Sequence, residues 1–298
     1  MCSMINQITR DKIDALAEKY RSLSHDNSDA VSQIAMTEIP EMVYNSNAIE
    51  NSTLTLKDTE DILIRDKIAK DYSVREVYEA KNLAEITVKL LDTDAPKLSV
   101  DMMLKLHKIL LGSIDNKIAG RFRVGKEWVR IGANLGANPS FVPGLICELV
   151  EKYFADNESY FLDKIALFHA EFEQIHPFND GNGRMGRVLI NQQLMALDLP
   201  PIIIPNKDKH QDYYPLFDEH VKSNKFDGFT ELFAMLLLES LNKRIAYLSA
   251  RKIKRLTEWA KDNGVKANVA LNKAKRQTIP AFRENGRWMI DADFQLEQ

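Results

Sequence analysis

The stretch HAEFEQIHPFNDGNGRMGRVLINQQ, residues 169–193, joins two apolar helical runs through a short polar loop. The helix carrying Phe168, Phe172 and Ile175 should end at His176, because Pro177 pushes its predecessor out of the α region. His176 then sits at a helix end, facing the loop. Gly181 and Gly183 let backbone amides approach a bound group closely, and the next helix is expected to begin near Arg184. Loop amides beside a helix N-terminus form an anion site. Arg184 and Arg187 oppose the helix dipole in that first turn at a cost of about 0.3–1 kcal/mol each, so an anion should offset them. They stand three residues apart, on one helix face, and can grip neighbouring phosphates as forks. Asp180 has no cysteine or histidine cluster beside it, which suits Mg²⁺ held by one carboxylate, phosphate oxygens and water. These features together imply a Mg-nucleotide. The competing reading pairs both arginines with Glu171, Glu173 or Asp198 and leaves the glycines merely to turn the chain.

Outward from this stretch the chain reads as mostly helical. Apolar residues recur at three and four spacing in VREVYEAKNLAEITVKLL (74–91), VDMMLKLHKILLGSI (100–114), LICELVEKYF (145–154) and FTELFAMLLLESLNKRIAYLSARKIKRLTEWA (229–260). Two hairpins interrupt the pattern. RFRVGKEWVRIGAN (121–134) reads as two short β-prone runs around Gly125 and Lys126, and IPAFRENGRWMID (279–291) turns at Asn285 and Gly286.

The 298 residues, 45% of them apolar, can bury one large core with a small appendage. MCSMINQITRDKID (1–14) has no apolar leader core, and no apolar run reaches the roughly 20 residues that span a bilayer, so a soluble cytoplasmic protein is expected, with no membrane partner. Cys2 and Cys147 are the sole cysteines, which argues against a disulfide framework or a cysteine-ligated zinc site. The net charge of −3 conceals an asymmetry: residues 244–288 hold 12 Lys and Arg against 3 Asp and Glu, so this segment carries +9 and the remainder −12. That contrast, with the stop at KDNG (261–264), marks a small C-terminal module after a long helix near residues 230–262.

HPFNDGNGRMGR (176–187) resembles the signature of the Fic family, His-x-Phe-x-Asp/Glu-Gly-Asn-Gly-Arg-x-x-Arg, with every specified position matched. The resemblance covers roughly residues 30–240. It implies a Fic-type helical bundle with a β-hairpin flap, and transfer of AMP from ATP to a hydroxyl of a target protein. By position, His176 would be the general base and Phe178 the loop anchor. Asp180 would bind Mg²⁺, Asn182 would hold an α-phosphate oxygen, and the Gly181 and Gly183 amides would complete the anion hole. Arg184 and Arg187 would hold the β- and γ-phosphates. The 121–134 hairpin resembles the family's flap, whose strand Val129, Arg130 and Ile131 would register the target segment by main-chain pairing. DYYPLF (212–217) resembles the nucleoside-side region, so Tyr213 and Tyr214 are either adenosine contacts or core aromatics. His107 and His169 read as packed or surface histidines.

Far upstream, SNAIEN (46–51) matches the Ser/Thr-x-x-x-Glu-Gly/Asn pattern of the inhibitory helix in regulated Fic proteins, placed here around residues 44–52 of the same domain. Ser46 and Glu50 lie four apart on one helical face, and a Glu50 carboxylate paired with Arg187 would take the place of the γ-phosphate. In the basic tail, NVALNKAKRQTIPAFRENGRWMI (268–290) resembles a small winged helix-turn-helix, with 268–277 as recognition helix and the Asn285–Gly286 hairpin as wing. Lys273, Lys275, Arg276, Arg283 and Arg287 would serve DNA phosphates or a protein surface. The expected division is therefore a Fic domain at 1–240 and a connecting helix with a winged-helix-like module at 241–298. Two function classes compete: a nucleotide-transferring enzyme, open to self-modification and homo-oligomer formation, and a DNA-binding regulator with a nucleotide-sensing or degenerate pocket. Within the enzyme class, transfer of another phosphate-linked group or removal of AMP stays open.

Overall fold

A computed structural model describes residues 5–91, 97–132 and 134–296; Cys2 lies outside them. Its first part is a bundle of α1 (Gln7–Asp26), α2 (Ser28–Ile49), α3 (Leu56–Arg65), α4 (Val74–Leu91), α5 (Val100–Leu110), α6 (Val142–Ala155), α7 (Phe161–Ile175), α8 (Asn182–Met195), α9 (Tyr214–Ser223) and α10 (Asp227–Leu248). Among the described residues no helix is long and apolar enough to cross a membrane.

Two apolar cores flank the α7–α8 pair. Phe168, Phe172, Phe178, Met185 and Leu189 face one core with α4, α5 and α6, while Ile165, Ala170, Ile190 and Leu194 face the other with α1 and α10. Burial on both sides shields most of these two helices from water, the polar Gln192 and Gln193 of α8 included. It also holds the loop between them rigidly. Helix α8 begins at Asn182, two residues before the expected start, because Gly181 at φ +82° serves as its N-cap.

The first hairpin differs from its sequence reading. Strand β1 (Arg130–Ile131) pairs antiparallel with β2 (Asn134–Leu135), in register Arg130↔Leu135 and Ile131↔Asn134, so the chain reverses at Gly132 rather than at Gly125–Lys126. Arg121 closes the 121–127 stretch into a loop by forking onto Glu127 at 2.8 and 2.7 Å, which consumes the β-prone residues there.

The long helix expected over 230–262 is broken. Helix α10 stops at Leu248 in a Schellman turn: Ala250 takes φ +50°, its N–H meets Tyr247 O and Arg251 N–H meets Ala246 O, both at 3.0 Å. The chain then forms β3 (Ile253–Arg255), α11 (Leu256–Asp262), α12 (Ala267–Lys275), β4 (Ala281–Glu284) and β5 (Arg287–Asp291), with strand order β3-β5-β4. Helical spacing could not reveal that β3 pairs with β5 from 34 to 38 residues away. A third core of Leu256, Trp259, Ala270, Ala274, Ile279 and Ile290 closes this C-terminal unit, while residue 240 lies inside α10.

The β4–β5 turn, at Asn285 φ +50° and Gly286 φ +73°, points inward. Its two amides donate to the Glu41 carboxylate of α2 at 3.2 and 3.3 Å, and Arg283 forks onto Glu239 of α10 at 2.8 and 2.7 Å. The hairpin read as a wing for phosphate is thus engaged by the body. Lys275, Arg276 and Arg287 remain exposed.

Candidate active site

His176 ends α7 at φ +54° and ψ +64°, outside the right-handed helical region that Pro177 disfavours for its predecessor. Its Nδ1 lies 3.1 Å from the Glu173 carbonyl, which makes Nδ1 the protonated nitrogen and leaves the Nε2 lone pair free. Burial pushes the His176 pKa below its ordinary value, a trend the Glu173 carbonyl and Glu50 partly offset. A neutral imidazole with one free lone pair can accept a proton.

The loop that follows is held from inside. Asn182 clasps Phe178, its Oδ1 accepting from Phe178 N–H and its Nδ2 donating to Phe178 O, both at 2.8 Å. Phe178 is fully buried and stacks on His107 with ring centroids 3.7 Å apart. The Gly120 N–H donates to His107 Nδ1 at 3.0 Å, so the opposite nitrogen, Nε2, donates to Asp180 O, also at 3.0 Å. Burial holds the His107 pKa down to about 4, which keeps that tautomer neutral. A Cβ at Gly181 would lie 2.9 Å from Leu110, and the positive φ there favours glycine as well.

With no side-chain cap on α8 and no acidic residue in its first turn, the helix opens as an anion site. Glu50 fills it. Its Oε1 accepts from Arg187 Nη2 at 2.8 Å, while Arg187 also donates to Ser46 Oγ and Ser46 O, each at 2.9 Å. A Cβ on Gly183 would come within 2.2 Å of that Glu50 oxygen, so the missing side chain is what lets the carboxylate reach the helix end. Burial acts to raise the Glu50 pKa, but Arg187, Arg184 and His176 outweigh it and hold the group ionised.

Arg184 and Asp180 belong to a second network. Arg184 pairs with Glu79 of α4 at 3.0 Å and with Asp180 at 3.1 Å, and Arg75, also on α4, pairs with both Glu79 and Asp180. Neither arginine of the loop makes a hydrogen bond to Glu171, Glu173 or Asp198 among the described residues. The Asp180 side chain is 31% exposed, and a single accessible carboxylate beside an anion site fits Mg²⁺ completed by phosphate and water. Among the described residues no three metal-ligating side chains cluster.

The remaining expected residues surround this centre, with Tyr213 and Tyr214 within electrostatic reach of Arg187 and Glu50. Tyr213 is buried and its hydroxyl lies 2.8 Å from His169 Nε2, placing both in the second core. Tyr214 donates to Ile49 O at 2.6 Å. Val129, Arg130 and Ile131 line the flap, where Val129 O accepts from Gly136 N–H at 3.0 Å.

Sequence reasoning missed Arg123. Its side chain is fully buried, and it donates to His176 O at 2.7 Å, to Ile175 O at 2.9 Å and to Ala137 O. It therefore caps the carbonyl end of α7 and ties it to the flap stem. No local spacing marks a partner 53 residues away. Glu173 was also missed: its buried carboxyl, pushed up to about 8 by desolvation, has Oε2 at 3.6 Å from His176 Nδ1.

Residues 97–194 match the model of the Fic/DOC family. The chain carries a Fic domain. It is 29% identical over 223 residues to protein adenylyltransferase fic-1 of Caenorhabditis elegans, across 72% of this chain and 43% of that relative. The chain thus spans less than half the length of that curated relative. The Fic fold superposes on a Fic domain containing signaling protein from Bacteroides thetaiotaomicron with TM-score 0.71 at 24% identity, covering 81% of this chain and 98% of that one. A Fic family protein from Desulfovibrio desulfuricans G20 matches with TM-score 0.65 at 19% identity over 98% of both chains, C-terminal unit included. At these identities the likeness is one of fold.

Proposed function

We propose that this chain is a protein adenylyltransferase, transferring AMP from Mg-ATP to a hydroxyl of a target protein, and that Glu50 inhibits it by occupying Arg187. The observation that carries the reading is the free Nε2 of His176 beside an uncapped helix N-terminus whose Arg187 is already paired with a carboxylate. The naming of the Caenorhabditis elegans relative as a protein adenylyltransferase supports it.

The target hydroxyl gives its proton to His176 Nε2, its oxygen forms a bond to the α-phosphorus, and the bond to pyrophosphate breaks. The His176 carbonyl, gripped by Arg123, and the Nδ1–H on Glu173 O fix the imidazole so that Nε2 faces the acceptor. The α8 N-terminus with Gly181 and Gly183 stabilises charge on the phosphate chain, and Arg187 would hold its end once Glu50 leaves. Asp180 would hold Mg²⁺, which neutralises phosphate charge; Arg75 would give up its pairing there. A target segment would lie along Val129, Arg130 and Ile131, and the exposed basic face of α12 would select targets. Tyr214 would meet the nucleoside only after releasing Ile49 O.

Intact mass after incubation with ATP and Mg²⁺ tests this. Glu50→Gly should gain AMP on itself or on added protein at least about tenfold faster than the parent, and His176→Ala in that background should gain none. A Glu50→Gly protein that binds ATP but never acquires AMP would sink the adenylyltransferase reading in favour of a nucleotide sensor.

A further inference from the structure

The glutamate that reaches Arg187 is the C-cap of α2, and helix ends of this kind need their last carbonyls satisfied. Two of them are closed internally by a Schellman turn: Asn51, at φ +67°, donates to Ala48 O at 3.1 Å, and Ser52 N–H donates to Asn47 O at 3.0 Å. Ile49 O takes its donors from elsewhere. Lys209 Nζ, on a side chain only 8% exposed, donates to Ile49 O, to Ala48 O and to Asn51 Oδ1, each at 2.9 Å. Tyr214 adds a bond to Ile49 O at 2.6 Å, and Asn206 N–H takes Asn45 Oδ1 at 3.0 Å. One segment therefore grips α2 at three places over its last two turns. That segment is a 3-10 turn, Asn206–Asp208, running through a π-helical turn, Lys209–Tyr213, into Tyr214 at the start of α9, and π-turns of this kind are frequent at functional sites.

We propose that Lys209 is the positioning residue for Glu50: its ammonium locks the C-terminal turn of α2 so that the Glu50 carboxylate lands over Gly183 and on Arg187. The inference rests on the inhibitory reading of Glu50. A cation at a helix C-terminus is favourable in itself, and here it also satisfies three acceptors that no water-exposed donor replaces in the same geometry. The three acceptors of the clamp belong to the α2 end and the residue just after its cap, outside the loop 176–187. Releasing the clamp loosens Glu50 without removing a group from that loop.

The test uses the full chain in three measurements. In the parent, Lys209→Met keeps the stem but removes the donors, and amide exchange over residues 47–52 should rise by about tenfold or more. In a His176→Ala background, where nothing is transferred, Glu50→Gly should tighten ATP binding, and Lys209→Met should tighten it by about three- to tenfold. Joined to Glu50→Gly, Lys209→Met should add no further tightening, an outcome that general loosening of the fold would not give. Lys209→Gln, which retains a donor in the same cavity, should act in the same direction with a smaller effect and serves if the methionine variant fails to fold. Unchanged exchange at 47–52, or unchanged ATP affinity where Glu50→Gly does tighten it, overturns the clamp. If Glu50→Gly itself leaves ATP affinity unchanged, the inhibitory reading falls, and the exchange measurement alone then judges the hold on α2.

Discussion

At the residue scale the centre of the site is His176, whose two ring nitrogens are made unlike by one backbone carbonyl. Burial lowers its pKa from the ordinary value, so the neutral form that accepts a proton dominates at pH 7 and is lost only as pH falls through the lowered value. The transfer rate of the Glu50→Gly protein should accordingly be flat near neutrality, with an acid limb below about pH 6.5. Glu50 contributes to raising the His176 pKa, so its removal should move that limb further to the acid side than in the parent. A rate profile falling already above pH 7 would contradict this assignment. Gly183 shows the opposite economy, in that an absent side chain makes the Glu50 contact sterically feasible. Gly183→Ala should clash with the inhibitory carboxylate.

At the element scale the α7–loop–α8 unit is held by residues from outside it. Arg123 donates to four carbonyls, two at the end of α7, Ala137 O at the flap stem and Glu127 O, with desolvation lowering its pKa yet leaving it a cation. Arg123→Met would leave His176 O and Ala137 O without that donor while Ile175 O keeps the Ala137 N–H, at about 1 kcal/mol apiece for the two, so about 2 kcal/mol in sum. Thermal unfolding should show a Tm lowered by several degrees, and transfer should fall with it because His176 loses its support. Arg123→Lys should not restore either, since an ammonium cannot reproduce the planar fork. Helical periodicity and Pro177 make α7, the loop and α8 legible in the sequence. Arg123 was illegible because one of three arginines in a β-prone run carries no mark of the carbonyls it will meet.

At the scale of the whole molecule, charge that looked like a binding surface partly serves assembly. Arg283 is held by Glu239 through its guanidinium and its backbone N–H, Glu38 is buried between Lys243 and Arg244, and the β4–β5 turn rests on Glu41. Glu239→Ala should leave Arg283 without its partner and weaken docking of the C-terminal unit by about 2 kcal/mol. Faster amide exchange across residues 281–291, with the Fic domain unchanged, would report it. Equal protection in variant and parent would show the apolar contacts of β4 with α10 to be sufficient. The +9 segment announced a distinct unit, yet composition could not say which of its cations face solvent.

The amino-acid sequence by itself determined the helical bundle, the helix break at Pro177, the glycine-lined loop and the residue types of an anion site. Each of these follows from short-range sterics, hydrogen bonding or side-chain period. Through family resemblance it also brought Ser46 and Glu50 to Arg187. Tertiary structure alone decided that Arg75 and Glu79 share Arg184 and Asp180, that Lys209 and Tyr214 hold the end of α2, that Arg123 caps α7, and that the basic hairpin turns inward. Those contacts join residues tens to hundreds of positions apart. Their geometry is set by how two cores pack against α7 and α8, and no local spacing encodes it.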